Sequence, residues 1–285
     1  MKKIAWITDS TAYITESLKN NKDVFVLPLS IIFGEKAYED GVDLTTEELY
    51  EKINNEKEIP KTSQPSVGKT AEVFNSLKEN YDAAIAVHIS GKLSGTLEAT
   101  RSAAEIADFP VEVIDSKSMS YAITSLLLSG IEQAKTETDY KKIAEDLRAE
   151  AEKHENLILL GSLEQFYKGG RMSGTQFLLG NLLKIKPIIR INPSGEFMLS
   201  EKVRSEKKAT KRILELFDDS YTKFNVYEIQ ILHGNVPARA EEIKEELLSK
   251  YPELKIVTGE ISSTIAVHAG EGTVGLMWQN NPGNE

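Results

Sequence analysis

The sequence predicts an α/β protein: an N-terminal domain with a largely parallel sheet flanked by helices, and a smaller α+β C-terminal domain. In the first half, short apolar runs alternate with amphipathic runs, which is typical of strands joined by helices. Polar residues follow three of the apolar runs directly, as at the carboxyl ends of parallel strands. The chain has 285 residues, and we expect two domains, residues 1–160 and residues 161–285.

Composition is that of an ordinary globular protein, with 40% hydrophobic and 27% charged residues. The net charge of −10 argues against nucleic acid or an anionic membrane surface as a main partner. The chain has no cysteine, so it holds neither a disulfide nor a thiolate site. It shows no signal-peptide pattern and no apolar run of about 18 residues, so we expect a cytoplasmic protein without membrane insertion.

The elements of the first domain follow from apolar runs and helix-start signals. Pro28 interrupts the apolar run from Val24 to Phe33, which makes an uninterrupted central strand there unfavourable. Thr45 and Glu48 have the spacing of a capping box, and they predict a helix start. The further predicted elements are strands at Lys3–Ile7, Ala83–Ile89 and Val111–Asp115, and helices from Val67, at Met119–Lys135 and at Asp139–His154.

The stretch after the strand Ala83–Ile89 is the most informative part of the sequence. Small polar residues and two glycines lead at once into a helical run from Leu97 to Ala107, with Ser94 placed as its N-cap. A glycine loop before a helix presents free backbone N–H groups and the positive end of the helix dipole, which favour an anion. The alternative is an ordinary βα turn in which Ser94 only caps the helix.

Three polar segments are predicted to converge at one edge of the parallel sheet. They are Thr8–Ser10, Ser90–Ser94 and Asp115–Ser118, each at the end of a strand. Ligands bind outside the carboxyl ends of such strands. The segment Thr62–Ser66 adds three hydroxyls braced by a proline, although turn and capping chemistry also explains these residues.

The second half predicts an α+β arrangement with a hairpin. The expected elements are strands at Asn156–Leu163, Val226–Leu232 and Leu254–Ser262, a hairpin from Pro187 to Ser200, and helices at Phe177–Leu183, Ser205–Phe217 and Pro237–Lys250. The helix from Ser205 carries a basic side formed by Lys207, Lys208, Lys211 and Arg212. It is either a solvated face or a docking surface for an acidic partner.

Motifs for nucleotide and metal chemistry are missing from the sequence. Gly270, Gly272 and Gly275 fit G-x-G-x-x-G, but only ten residues follow, so we interpret them as a tight turn that allows close backbone approach. The four histidines lack metal-ligand spacing. His88 is predicted to lie in the core, and only His268 has surroundings typical of a site.

Several separated segments resemble the DegV family of bacterial lipid-binding proteins. They occur in order and span nearly the whole chain: Ile7–Thr11, Thr62–Ser66, Ile89–Thr96, Val113–Ser116, Lys168–Arg171 and His268–Thr273. The resemblance implies two domains that clasp one long-chain fatty acid, such as palmitate, stearate or oleate, without a cofactor or a metal. It implies that the carboxylate is bound by Thr62, Ser94, the Gly95 N–H and His268.

The resemblance also implies a partner in some family members. There the protein is the acyl-binding subunit of a fatty acid kinase, and it presents the carboxylate to a separate ATP-binding subunit that forms acyl-phosphate. Arg171 and Arg204 would belong to the face that meets this subunit. For the acyl chain, the apolar side chains of Phe166, Phe177, Leu178 and Leu182 are candidate contacts, and core packing is their alternative role.

Two other functions stay open at this point. One is an acyl-transfer or hydrolytic enzyme with Ser94 as nucleophile and His268 as base. The other is a regulatory or structural protein with an occluded pocket. We also expect ligand binding to depend on pH near 6.5 if the charge of His268 takes part, because imidazole titrates there in model peptides.

Overall fold

The computed structural model describes residues 3–56, 58–171 and 185–281. The chain forms two compact units. The first comprises Met1–Glu152 with Ser262–Thr264, and the second comprises Lys153–Ile261 with Ile265–Glu285. No helix among the described residues is long and apolar enough to cross a membrane.

The first unit contains a parallel sheet, a small antiparallel sheet and flanking helices. Its strands are β1 (Ile4–Asp9), β2 (Val24–Leu27), β3 (Ser30–Phe33), β4 (Lys36–Glu39), β5 (Lys61–Ser63), β6 (Ala83–His88) and β7 (Val111–Asp115). Its helices are α1 (Glu16–Lys19), α2 (Thr46–Glu56), α3 (Val67–Leu77), α4 (Thr96–Ala107), α5 (Tyr121–Gln133) and α6 (Tyr140–Ala151). The parallel sheet has the order β2-β1-β6-β7, and the antiparallel sheet has the order β4-β3-β5.

Continuous apolar runs form the two central strands because both faces of the parallel sheet are covered. Every residue of β1 and β6 is buried. As predicted, Pro28 divides the next apolar run: β2 ends at Leu27 as an edge strand, and β3 belongs to the other sheet. The predicted α/β architecture is confirmed.

Local capping determines where two helices of the first unit begin. Thr45 and Glu48 form the predicted capping box before α2, since the Thr45 N–H donates to Glu48 Oε2 over 2.8 Å and the Glu48 N–H donates to Thr45 Oγ1 over 3.2 Å. Ser66 caps α3 by accepting from the Lys69 N–H. This cap also fixes the end of the hydroxyl-rich segment that contains Thr62.

The second unit is built on a mixed six-stranded sheet with the order β10-β9-β8-β13-β11-β12. Its strands are β8 (His154–Leu159), β9 (Lys186–Ile191), β10 (Phe197–Val203), β11 (Glu228–His233), β12 (Lys255–Glu260) and β13 (Val274–Gln279). Its described helices are α7 (Leu163–Lys168), α8 (Glu206–Lys223), α9 (Pro237–Lys250) and α10 (Ser263–Ala269), of which Ser263 and Thr264 belong to the first unit.

The strand β8 lies within the sheet of the second unit, where it pairs with β13 and β9. The division expected from sequence places these residues in the first domain. The predicted hairpin is confirmed as the antiparallel pair β9 and β10. The predicted helices from Ser205 and Pro237 correspond to α8 and α9.

Candidate functional site

The polar segments that follow β1, β6 and β7 meet at one edge of the parallel sheet, as predicted. The Ser90 N–H donates to the Ser118 carbonyl over 2.9 Å. The Gly91 N–H donates to Asp115 Oδ2 over 3.3 Å, which joins the loop after β6 to the end of β7. Asp9 closes the arrangement from β1, because its Oδ2 accepts from the Ile89 N–H over 3.0 Å.

Asp9 is a fully buried carboxylate that holds this edge together. Its Oδ1 accepts from the N–H and the hydroxyl of Thr11, and its Oδ2 lies 2.9 Å from His88 Nδ1. Burial alone would raise the pKa of Asp9, but the hydrogen bonds and charge of His88, together with the Thr11 and Ile89 donors, hold it below its usual value. His88 lies in the core, as predicted, with no exposed surface.

The N-terminus of α4 has no side-chain cap; Gly95 there is exposed, whereas Thr96 and Leu97 are buried. Gly95 occupies the N-cap position, so the prediction that Ser94 caps this helix is wrong. The half-buried Ser94 hydroxyl instead lies 2.8 Å from Thr96 Oγ1. None of the hydrogen bonds among the described residues involves the N–H of Gly95, Thr96 or Leu97. This 12-residue helix therefore begins with an uncapped N-terminus beside a serine hydroxyl, an arrangement that suits an anion.

Thr62 lies on β5, where it pairs with Ile31 of β3. The same segment contacts the loop before α4. A side chain added at Gly95 would place its Cβ 2.8 Å from Gln64 Oε1, so the Gln64 amide rests directly on the Gly95 backbone. The structure thus brings the segments of Thr62 and Gly95 together within the first unit.

His268 lies on α10, and its surroundings come from the segment after α7. A Cβ added at Gly169 would lie 2.3 Å from His268 Nδ1, so only glycine leaves room for the imidazole. Burial, with a smaller contribution from the positive charge of Arg171, lowers the pKa of His268 from 6.5 to about 3. His268 is therefore a neutral hydrogen-bonding group at neutral pH, and the expected titration near pH 6.5 is wrong for this residue.

The glycine turn after α10 allows close backbone approach, as the sequence indicates. Gly270 and Gly272 have φ angles of +82° and +90°. A Cβ at Gly161 would lie 1.9 Å from the Glu271 carbonyl oxygen, so the two chain segments touch through their backbones. The Gln165 amide donates to the Val267 carbonyl over 3.1 Å. These contacts fix the segment that carries His268 within the second unit.

Of the predicted acyl-chain contacts, only Phe166 is among the described residues. Its side chain is 2% exposed and packs edge-on against Phe197, with ring centroids 5.0 Å apart. The structure thus gives Phe166 a core contact. Phe177, Leu178 and Leu182 lie outside the described residues, and all four assignments stay predictions.

The basic residues of the second unit differ in their surroundings. Arg171 is half-buried, and its Nη1 donates to the Gly169 carbonyl over 2.6 Å. Burial lowers the pKa of its guanidinium. Arg204 is exposed and forms no ion pair with any other described residue. Arg212, expected on the basic side of α8, is instead bound by Glu201 and Glu215.

Three residues that shape the surroundings of Gly95 and His268 were not predicted from the sequence. Gln64 contacts the Gly95 backbone, and Gly169 and Gln165 fix the position of His268. The paired glycines at 169 and 170 were the available signal, because a glycine often marks close packing. Among the described residues, no group of three or more histidine or acidic side chains is arranged to hold a metal ion.

Comparisons with known proteins place the chain in a family. A model described as "Uncharacterised protein, DegV family" matches residues 3–281. The curated protein DegV of Bacillus subtilis is 33% identical over 282 residues, which cover 96% of this chain and 98% of that protein. The crystal structure of DegV, a fatty acid binding protein from Bacillus subtilis, has 31% identity and a TM-score of 0.89, with 99% of this chain and 100% of that chain covered.

A second solved structure also resembles this chain over its full length. A fatty acid binding DegV family protein from Streptococcus agalactiae has 31% identity and a TM-score of 0.91, with 100% of both chains covered. The family match and both structural likenesses extend over nearly the whole sequence. The chain therefore belongs to the DegV family.

Proposed function

We propose that this protein binds one long-chain fatty acid non-covalently. The open N-terminus of α4 beside the Ser94 hydroxyl carries the proposal, because it suits a carboxylate. The likeness to two solved DegV structures described as fatty acid binding supplies the ligand class. Palmitate, stearate and oleate are ligands of the proposed kind.

The proposed head-group contacts are hydrogen bonds to a carboxylate. The Gly95 N–H and the hydroxyls of Ser94 and Thr62 donate, and the positive end of the α4 dipole adds to the attraction. The family resemblance adds His268, whose pKa of about 3 keeps the imidazole neutral at neutral pH. A neutral imidazole binds by hydrogen bonding, so its contribution persists across the physiological pH range.

The acyl chain supplies most of the affinity in this proposal. Each buried methylene contributes about 0.8 kcal/mol, whereas the head-group bonds mainly offset the desolvation of the carboxylate. The proposed contacts of the acyl chain are Phe166, Phe177, Leu178 and Leu182. Shortening the acid should therefore weaken binding steadily, by a few-fold for each methylene removed.

The test is a fluorescence displacement titration with oleate on wild type and the double variant Thr62→Ala, Ser94→Ala. A hydrogen bond to a charged group contributes about 1.5–3 kcal/mol, so the Kd should rise at least tenfold. Ser76→Ala is the matched control, because the Ser76 hydroxyl donates only to the Val73 carbonyl in its own helix. Undiminished affinity in the double variant would refute the head-group assignment.

A finer proposal concerns the fate of the bound acid. We propose that the protein acts in the cytoplasm as a non-catalytic subunit that presents the carboxylate to a separate fatty acid kinase subunit. This step rests on the sequence resemblance, with Arg171 and Arg204 on the meeting face. The exposure of Arg204 and its lack of an ion pair among the described residues support a role in contacting a partner.

An acyl-transfer enzyme with Ser94 and His268 is less well supported. A general base works best with a pKa near the working pH, and the pKa of His268 is about 3. Intact-mass analysis after incubation with an activated ester separates the two functions. An adduct on Ser94 would favour the enzyme, and an unchanged mass would favour the carrier.

A further inference from the structure

A chain of buried hydrogen bonds brackets the loop that precedes α4. Asp9 Oδ2 lies 2.9 Å from His88 Nδ1, and His88 Nε2 lies 2.9 Å from Thr100 Oγ1. Asp9 and His88 have no exposed surface, and Thr100 is 1% exposed. His88 is the last residue of β6, and Thr100 lies on the second turn of α4.

The hydrogen-bond roles in this chain are set by chemistry. The ionised Asp9 carboxylate can only accept, so His88 Nδ1 donates to it. His88 Nε2 and the Thr100 hydroxyl form the second hydrogen bond, since their heavy atoms lie 2.9 Å apart. Each group in the chain is thereby satisfied away from water, and loss of one partner would leave another polar group buried and unpaired.

The same series of hydrogen bonds reaches both ends of the loop. Asp9 also accepts from the Ile89 N–H, where the loop starts. One turn before Thr100, Thr96 lies on the same face of α4 and its Oγ1 is 2.8 Å from Ser94 Oγ. The start of the loop is thus bonded to Asp9 at the end of β1. The end of the loop leads into α4, which Thr100 bonds to His88 at the end of β6.

We propose that Asp9, His88 and Thr100 are positioning residues that hold the N-terminus of α4, with Ser94 and Gly95, in the geometry that binds a carboxylate. This inference rests on the proposed function. The three side chains touch no ligand; they act through the loop and the helix. Supporting residues of this kind commonly change ligand affinity by 10-fold to 100-fold at metal sites, and we expect about tenfold here.

The test compares Thr100→Val with Thr124→Val. Valine keeps the shape of threonine and removes the hydroxyl. Thr124 is an equally buried threonine on α5, and its hydroxyl lies within hydrogen-bond distance of the Tyr13 and Ser120 carbonyls, so both variants lose a buried hydroxyl together with its hydrogen bonding. Thr100→Val should raise the Kd for oleate about tenfold. Thr124→Val should leave it unchanged, and Thr100→Ser, which retains the hydroxyl, should restore it.

Amide hydrogen exchange gives a second readout that needs no ligand. In Thr100→Val, the hydrogen-bonded amides of residues 89–94 should exchange at least about threefold faster than in wild type and in Thr124→Val. Equal affinity and equal exchange in Thr100→Val and wild type would overturn the proposal, as would equal weakening by Thr124→Val. If wild type takes up no oleate, the proposed function fails, and exchange alone decides the positioning role.

Discussion

Replacing His268 with glutamine should change how the stability of the protein depends on pH. The imidazole of His268 packs against Gly169. Burial, with a smaller contribution from the positive charge of Arg171, lowers its pKa from 6.5 to about 3. Glutamine keeps a polar side chain of similar size but does not titrate. The variant therefore removes one proton-binding group without adding charge at any pH.

The sign and size follow from proton linkage. Below pH 6.5, the unfolded chain takes up a proton on His268 that the folded chain refuses until the pH approaches 3. Wild type therefore loses stability as the pH falls through this window, and the loss is absent above it. Each pH unit within the window contributes about 1.4 kcal/mol. Between about pH 7.5 and 5.5, His268 should lower the free energy of unfolding by about 1.4 kcal/mol.

Urea unfolding at these two pH values, on wild type and His268→Gln, measures the effect. Other titrating groups change the stability of both proteins equally, so the difference between the proteins should shift by about 1.4 kcal/mol in favour of the variant at the lower pH. A difference that is independent of pH would refute the buried, neutral imidazole. A titration of the His268 ring signals by NMR with a midpoint near 6.5 would refute it as well.

Two further substitutions test other parts of the account. Gly169→Ala should lower the free energy of unfolding by about 1–3 kcal/mol, because its Cβ would meet the His268 ring and the Gln165 carbonyl. Gly68→Ala on α3 is its control in thermal unfolding and should raise stability by about 0.5 kcal/mol, since that Cβ meets nothing closer than 3.8 Å. Arg204→Ala should slow acyl-phosphate formation with a cognate kinase subunit about fivefold, with oleate affinity unchanged.

Each of these two predictions has a clear contrary result. Equal stability of Gly169→Ala and wild type would show that the imidazole does not fill the space against residue 169. An unchanged rate of acyl-phosphate formation in Arg204→Ala would remove this residue from the proposed partner face. Weaker oleate binding by Arg204→Ala would instead place it near the ligand.

Much of the fold could be predicted because it depends on local patterns. The buried runs of β1 and β6, the capping box at Thr45 and the break at Pro28 each record a short-range preference. The strand β13 could not be predicted, because its core position comes from pairing with β8 and β11, more than 40 residues away. Such pairings leave little signal in one sequence.

The candidate site shows the same division. Polar residues at strand ends predicted the edge where Asp9, Ser90 and Asp115 meet. The cap of α4 was misassigned because Ser94 and Gly95 are both acceptable N-cap residues, and in the structure the Ser94 hydroxyl contacts Thr96 Oγ1 instead of a backbone N–H. The lowered pKa of His268 could not be predicted either, since it comes from burial of the ring, which packs against Gly169, a residue far away in the sequence.

Native mass spectrometry of the purified protein, repeated after denaturation, tests the central claim most directly. We expect a mass excess equal to one long-chain fatty acid under native conditions, and the mass of the bare chain after unfolding. If the purified protein is empty and also takes up no added oleate, the carrier function is contradicted, and the open N-terminus of α4 must serve a different anion.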